Sequence, residues 1–302
     1  MNKPPQGRFS TKTAINKLTH DMIEVNRVSY TTASDKRPVL TDVNMTLGPG
    51  LYLLTGERAS GTTELMQVMA SLRRPQSGEV LINGLDVAGR RPSVLSRLAY
   101  MGPDTVFPVN TIAEMTTSHA IFYPHFSPQA LDENLIRLRI GADDRLTELA
   151  DADRHLVMAA YLLSLNTDLL LLDDIRTGLS LQQYRELRAM IRENLSGQRT
   201  AVLSQVNSDM STDFDGLIFM RAGRVALVAE TRDILAAAVT TVTPMRPAEA
   251  IFAEFLDGAW HAVVPASAVA ETYEPFDFAI LCRALSNPEA AERVSRLINP
   301  KS

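Results

Sequence analysis

Residues 51 to 65, LYLLTGERASGTTEL, constrain this chain more than any other stretch, because they read as a buried strand, a glycine-bounded loop and the start of a helix. The apolar run Leu51 to Leu54 ends at Gly56, and Gly61 follows five positions later. Thr62 and Thr63 then open a segment with helical spacing in Leu65, Val68, Met69 and Leu72. This is the layout of a phosphate-binding loop, G-x-x-x-x-G-K-[ST], in which backbone N–H groups and a helix N-terminus surround the phosphates. Thr62 stands where the motif has lysine. A lysine there brings a full positive charge to the β- and γ-phosphates, and charge-assisted hydrogen bonds contribute about 1.5–3 kcal/mol each. A threonine hydroxyl does not replace it. Thr63 keeps the hydroxyl expected to ligate Mg²⁺, and Arg58 inside the loop is a candidate substitute cation. The motif alone leaves two readings open, a nucleotide site and a strand-to-helix turn kept only for packing.

With 302 residues of which 45% are apolar, the chain can bury one large α/β core and a small appended unit. A net charge of −5 gives no electrostatic case for nucleic acid as a partner. Cys282 is the single cysteine, which excludes a disulfide framework and a cysteine-based metal site and fits a reducing compartment. Residues 1–21 are expected to form a mobile polar tail without the apolar run of a secretory signal. The densest apolar patch, LVMAAYLLSL from 156 to 165, is too short to cross a bilayer, so membrane association is expected only through a partner.

Apolar alternation from Met22 to Tyr30 and through Val43, Met45 and Leu47 predicts two strands of an antiparallel patch, the second broken by Gly48, Pro49 and Gly50. Leu98 to Met101, Asp168 to Asp174 and Thr200 to Val206 read as buried strands. Thr111 to Leu165 is mostly helical by spacing, with breaks at Pro124 and Pro128. Leu181 to Leu195 reads as an amphipathic helix with Tyr184, Leu187, Ile191 and Leu195 on one face. Leu217 to Met220 and Val225 to Val228 flank a glycine-bearing hairpin turn, and Thr231 is expected to cap a short helix from Ile234 to Val239. Beyond about 240 a separate small unit is expected, with a strand at Ala262 to Val264 and helices at Phe276 to Leu285 and Pro288 to Leu297, the latter capped by Asn287.

The stretch PQSGEVLINGLDV, Pro75 to Val87, resembles the P-x-S-G-x-[IV]-x-[ILV]-x-G-x-[DN] segment of the nucleotide-binding subunits of ATP-binding cassette (ABC) transporters, and lies at that family's distance after the loop. The resemblance covers roughly residues 22 to 235. IFYPHFS, Ile121 to Ser127, is similar to the cytoplasmic subunits of small bacterial two-component exporters. The resemblance implies a RecA-like P-loop α/β cassette with an antiparallel β patch, its core in 22–104 and 167–235, an inserted helical subdomain in 105–166 that grips a membrane subunit, and a C-terminal α/β extension in 236–302. It also implies ATP and Mg²⁺ as cofactors, with an aromatic near Tyr30 stacking the adenine. Asp173 matches the aspartate that orients magnesium, and Asp174 stands where a glutamate polarises the attacking water.

Several positions depart from the family's pattern. Asp174 is one methylene shorter than glutamate, which displaces a base by about an ångström and costs on the order of 10²-fold in rate. Pro103 holds the place of the glutamine that senses the γ-phosphate, Val206 that of the switch histidine, and Ser180 that of an aspartate in the intersubunit loop. The signature L-S-G-G-Q, which caps the nucleotide of the opposite subunit, aligns with Leu149, Ala150, Asp151, Ala152 and Asp153. Two carboxylates there repel a triphosphate, by roughly 1 kcal/mol per charge pair at ~4 Å even in water. The structural alternative is an ordinary helix N-terminus with aspartate in its first turn, acting as a structural cap.

Since each site in a cassette dimer joins the loop of one subunit to the signature of the other, both sites of a dimer with a related subunit would be damaged, and a homodimer more so. The resulting expectation is a cytoplasmic subunit on the inner face of the cell membrane, bound to a multi-helix permease, dimeric with itself or a related cassette, that hydrolyses ATP slowly or not at all. Two alternatives are an ATPase compensated by Arg58 and Asp174, and a soluble scaffold or regulator with this fold.

Overall fold

The computed structural model describes residues 23–32, 36–106, 109–176, 178–195, 199–205, 213–269 and 275–300. Val206 and the 1–21 tail lie outside the described residues. Strands β1 (Ile23–Thr31) and β2 (Pro38–Leu47) pair antiparallel, with Val25 opposite Met45 and Val28 opposite Val43. The inward set Ile23, Val25, Val28 and Tyr30 skips a beat at Arg27, whose φ of 49° marks a bulge that keeps both halves of the strand facing the core. Strands β4 (Ser77–Ile82) and β5 (Leu85–Asp86) complete this sheet in the order β2-β1-β4-β5, with β3 (Gly50–Gly56) in the next sheet.

β3 is central in the second sheet. β8 (Thr200–Ser204) and β9 (Gly216–Arg221) flank it in parallel, β7 (Leu169–Leu172) and β6 (Leu98–Met101) extend the sheet beyond β8, and β10 (Arg224–Glu230) closes it antiparallel to β9. The sheet separates two cores, which explains the unbroken leucine run of β7. Leu169 and Leu171 face helix α1 (Thr62–Met69) and the antiparallel patch, while Leu170 and Leu172 face α5 (Asp151–Ser164) and α6 (Leu181–Asn194). Burying both faces of such a strand requires apolar residues at every position.

Between β6 and β7 the chain forms α3 (Ile112–Ser118), α4 (Pro128–Leu138) and α5, after the single-turn α2 (Pro92–Leu95) that precedes β6. Thr111 and Ser127 cap α3 and α4 through their hydroxyls, and Pro128 sits in the first turn of α4, where its missing N–H is not needed. Leu195 ends α6 instead of extending its buried face, which holds Tyr184, Leu187, Met190 and Ile191.

The C-terminal region departs most from expectation. Helix α7 (Thr231–Ala237) starts at Thr231 and is preceded by Glu230, so Thr231 is not its cap; its hydroxyl instead donates to the Phe214 carbonyl at 2.5 Å. Val239 lies in a strand, β11 (Ala238–Thr243), followed by the hairpin β12 (Phe252–Leu256) and β13 (Ala259–Pro265) in the order β11-β13-β12. Asp257 and Gly258, both at positive φ, form the two-residue turn that Asp-Gly favours. Helices α8 (Phe278–Ser286) and α9 (Pro288–Ile298) follow, and Asn287 caps α9 through the amides of Glu289 and Ala290. Ile280, Leu281, Val294 and Ile298 belong to the same buried cluster as Leu227 and Ala229 of β10, so the extension shares its core with the main sheet.

Candidate functional site

The loop after β3 is held by contacts that leave no room for side chains. A Cβ at Gly56 would lie 2.3 Å from the Met220 carbonyl oxygen, and one at Gly61 would meet Leu40 Cδ2 at 2.9 Å with φ at 93°. Glu57 N–H donates to the Met220 carbonyl at 3.2 Å, Ser60 N–H to the Glu57 carbonyl at 3.1 Å, and Leu65 N–H to the Gly61 carbonyl at 2.9 Å, which starts α1. Ala59 sits at φ 60°, a left-handed conformation that costs an L-residue roughly 1–2 kcal/mol. The Ser60 hydroxyl is buried without a hydrogen-bond partner among the described residues. A strained loop, an unsatisfied buried donor and a helix N-terminus together suit an oxyanion.

Thr62 and Thr63 are the first two residues of α1, and Arg58 is exposed at the loop's outer edge. Thr63 Oγ1 lies 3.4 Å from Asp173 Oδ1. Asp173, 1% exposed at the end of β7, also receives the Ser204 hydroxyl on Oδ1 and the Tyr100 hydroxyl on Oδ2 at 3.3 Å. Burial raises the Asp173 pKa, the hydrogen bonds from Ser204, Thr63 and Tyr100 oppose the rise, and the neighbouring Asp174 charge adds to it. Burial and the Asp173 charge push Tyr100 up to about 12, so it acts as a donor at neutral pH. Its ring covers Gly102, where a Cβ would lie 2.2 Å from the Tyr100 hydroxyl. Asp174 holds left-handed backbone at φ 49°, its amide donating to Ser204 Oγ at 3.0 Å.

A hydroxyl and a carboxylate this close are ligands of the kind Mg²⁺ takes, two or so from protein and the remainder from phosphates and water. Among the described residues no group of three or more His, Cys, Asp or Glu could hold a metal ion. Ser204 and Tyr100 were not singled out by sequence. The available signal was their place at the ends of strands adjoining β7, the edge of an open α/β sheet where ligands bind.

Other expected site residues stand elsewhere. Tyr30 is a correction: it lies within β1, two residues after Val28 on the same inward face, and is 7% exposed. Its hydroxyl accepts from Arg73 at 2.8 Å and the guanidinium carbon lies 5.6 Å from its ring centroid, so it offers no open face to an adenine. The residue following the strand is Thr32, which is not aromatic. Pro103 and Asp104 are the exposed corner of a turn from Gly102 to Thr105, closed by Thr105 N–H to the Gly102 carbonyl at 3.0 Å. Proline suits that corner because its φ is preset.

Leu149 and Ala150 lead into α5, with Ala150 as the N-cap and no side chain capping the helix. The expected helix start with aspartate in its first turn is present, although neither aspartate makes a side-chain cap bond among the described residues. Asp151, Ala152 and Asp153 form the first turn; the Asp151 carboxylate pairs with Arg154 and is 86% exposed, while Asp153 accepts from Gln183 at 3.2 Å. Ser180 forms a capping box with Gln183 at the start of α6.

The family profile described as ABC transporter matches residues 40–177. A putative ABC transporter ATP-binding protein of Methanosarcina mazei is 25% identical over 232 residues, 71% of this chain and 81% of that protein. A cytochrome c biogenesis ATP-binding export protein of Bordetella bronchiseptica is 31% identical over 170 residues, 54% of this chain and 75% of that protein. The solved structure of an ATP-binding subunit of an ABC transporter has a TM-score of 0.61 at 20% identity, covering 70% of this chain and 91% of the other. A bacterial Atm1-family ABC exporter with ATP bound gives 0.62 at 19%, over 72% and 40%. The α/β sheet, the loop before α1 and these likenesses converge: the chain belongs to the ABC transporter family, as an ATP-binding cassette subunit.

Proposed function

We propose that this cassette is the cytoplasmic subunit of a membrane exporter-like complex in which ATP is hydrolysed slowly or not at all. The observation that carries the reading is the contrast within one site: the Thr63 and Asp173 pairing is intact, while the first residue of α1 is the uncharged Thr62. On this reading the amides of Gly56 to Thr63 and the Ser60 hydroxyl hold phosphate oxygens, and Thr63 and Asp173 hold Mg²⁺, which when bound would neutralise phosphate charge. Asp174, Pro103 and Val206 occupy the positions of base, glutamine sensor and histidine without supplying those groups. The Leu149 to Asp153 segment presents Asp151 and Asp153 where the dimer partner's nucleotide would sit, so neither site of a dimer is complete.

The permease contact is assigned to the cavity of about 410 Å³ between β6, α3 and α5, walled by Tyr100, Val106, Met115, His119, Tyr123 and Met158. Val106, Ile121 and Phe122 stand 82%, 72% and 65% exposed around that subdomain, more apolar surface than a free monomer needs, and the relatives named as export or transporter subunits favour a membrane helix as the occupant. No helix among the described residues is long and apolar enough to cross a membrane.

A second reading, a slow ATPase with Arg58 in place of lysine, is favoured by the exposed Arg58 side chain, which makes no hydrogen bond or ion pair among the described residues. Phosphate release by the purified chain separates the two. The first predicts a rate indistinguishable from that of Asp173→Ala. Turnover that Asp173→Ala abolishes contradicts it. Co-purification with a multi-helix membrane protein is expected, and its loss on Val106→Asp would map the contact; purification alone from the soluble fraction would favour a scaffold.

A further inference from the structure

A cavity of about 160 Å³ opens at the far end of α1 from the glycine loop, walled by Arg73, Arg74 and Arg90 over a floor of Val68, Val80 and Val87. The space equals about five water molecules at ~30 Å³ each, too small for a nucleotide and suited to one charged headgroup. Two of the guanidiniums are fixed in advance. Arg73 donates through Nε to Gln67 and through Nη1 to the Tyr30 hydroxyl. Arg90 donates through Nη1 to the Ser71 carbonyl, and both Arg90 and Ser71 hold left-handed backbone, φ 48° and 57°. The Ser71 hydroxyl ties the same turn to the Val87 carbonyl at 2.8 Å.

Among the described residues none of these three arginines is paired with a carboxylate, although Arg97, Arg137, Arg154, Arg188 and Arg192 all are. Asp86, the acid nearest Arg90 in sequence, spends its carboxylate on the Ala88 amide, and Glu79, the acid nearest Arg74, accepts from the Asn26 amide at 3.5 Å. In a chain with five more acids than bases, three exposed arginines lining one recess with no carboxylate partner among the described residues are not a consequence of composition. The negative end of α1 accounts for Arg90 on Ser71, but not for Arg74, which touches no carbonyl there. Guanidinium forks match the oxygens of a phosphate group, and several converging on an apolar-floored recess recognise one by charge and shape.

We propose that Arg73, Arg74 and Arg90 form a binding site for a phosphate-bearing anion, separate from the glycine loop and about 12 Å along α1 from it. The phosphate comes either from a free phosphorylated compound or from an acidic lipid headgroup, the latter helped by Leu72, 55% exposed beside Arg73. The site does not depend on whether the glycine loop binds ATP.

The test uses the full chain and two probes: inorganic phosphate followed by phosphorus NMR line broadening, and phosphatidylcholine vesicles with and without phosphatidylglycerol followed by flotation. Arg74→Gln combined with Arg90→Gln is expected to weaken binding of the effective probe by about tenfold or more. An equal charge change on distant exposed arginines, Arg145→Gln with Arg296→Gln, should alter it less than about twofold. Arg74→Lys keeps the charge without the fork and should restore only part. A loss seen with phosphate identifies a free ligand; a loss confined to phosphatidylglycerol vesicles identifies a headgroup. Absence of binding with both probes, or equal weakening by the two double variants, overturns the assignment.

Discussion

Two pairs of acidic residues, one at the end of β7 and one on the first turn of α5, have opposite physical histories. Asp173 is buried and takes hydroxyls from Thr63, Ser204 and Tyr100, and beside it Asp174 is fixed through its amide to Ser204. Asp151 and Asp153 sit on the first turn of α5, where one is nearly free in solvent beside Arg154 and the other leans on Gln183. Burying a carboxylate is unfavourable unless something compensates it, and three neutral donors compensate only in part. Such an arrangement persists where a cation is expected. The α5 pair carries no such penalty and reads as surface. The carboxylate beside the glycine loop is therefore set up to meet a cation, and the α5 pair is not.

The comparison is sharpest in stability measurements. The largest effect is expected from Gly56→Ala, which drives a Cβ into the Met220 carbonyl and should destabilise the chain by roughly 3 kcal/mol in chemical denaturation. Next, Asp173→Asn should stabilise the metal-free protein by about 1 kcal/mol at neutral pH. The sign follows from linkage: folding raises the Asp173 pKa, so its contribution is most favourable below the unfolded value near 3.8 and declines as pH rises through the folded value. The gap between the Asn variant and the parent should widen over that rise in melting scans. A flat gap would mean the buried carboxylate is better compensated than its hydroxyls suggest.

Gly102→Ala should push the Tyr100 ring aside and, like Tyr100→Phe, remove one hydroxyl from Asp173, a change of about 1 kcal/mol that added Mg²⁺ should reduce. The smallest effect belongs to the other pair. Arg154→Ala or Asp151→Ala should change stability by less than about 0.5 kcal/mol, because the ion pair is exposed. A larger loss there would break the contrast.

Much of this was legible in the residues. Leucine runs marked the doubly buried strands, and Gly56, Gly61 and the helical spacing after Thr63 located the loop, because those signals are local. The partners of Asp173 were not legible, since Ser204 and Tyr100 come from separate strands and only sheet order brings them together. Tyr30 is buried because a bulge at Arg27 shifts the inward face by one residue, which strict alternation does not show. Thr231 looks like a cap by type, yet its hydroxyl is taken by Phe214. The Asp257-Gly258 dipeptide is a local hairpin signal, and β12 is the strand it announces.

The central claim is that the phosphate cradle persists as architecture while its main charge is missing at Thr62. It is tested most directly by titrating ATP with Mg²⁺ into the full chain and into Thr62→Lys. The account predicts weak binding by the parent and a gain of about tenfold or more in the variant, the equivalent of one charge-assisted contact. Equal affinities in the two proteins would contradict it, showing either that the loop does not hold phosphate or that another cation already supplies the charge.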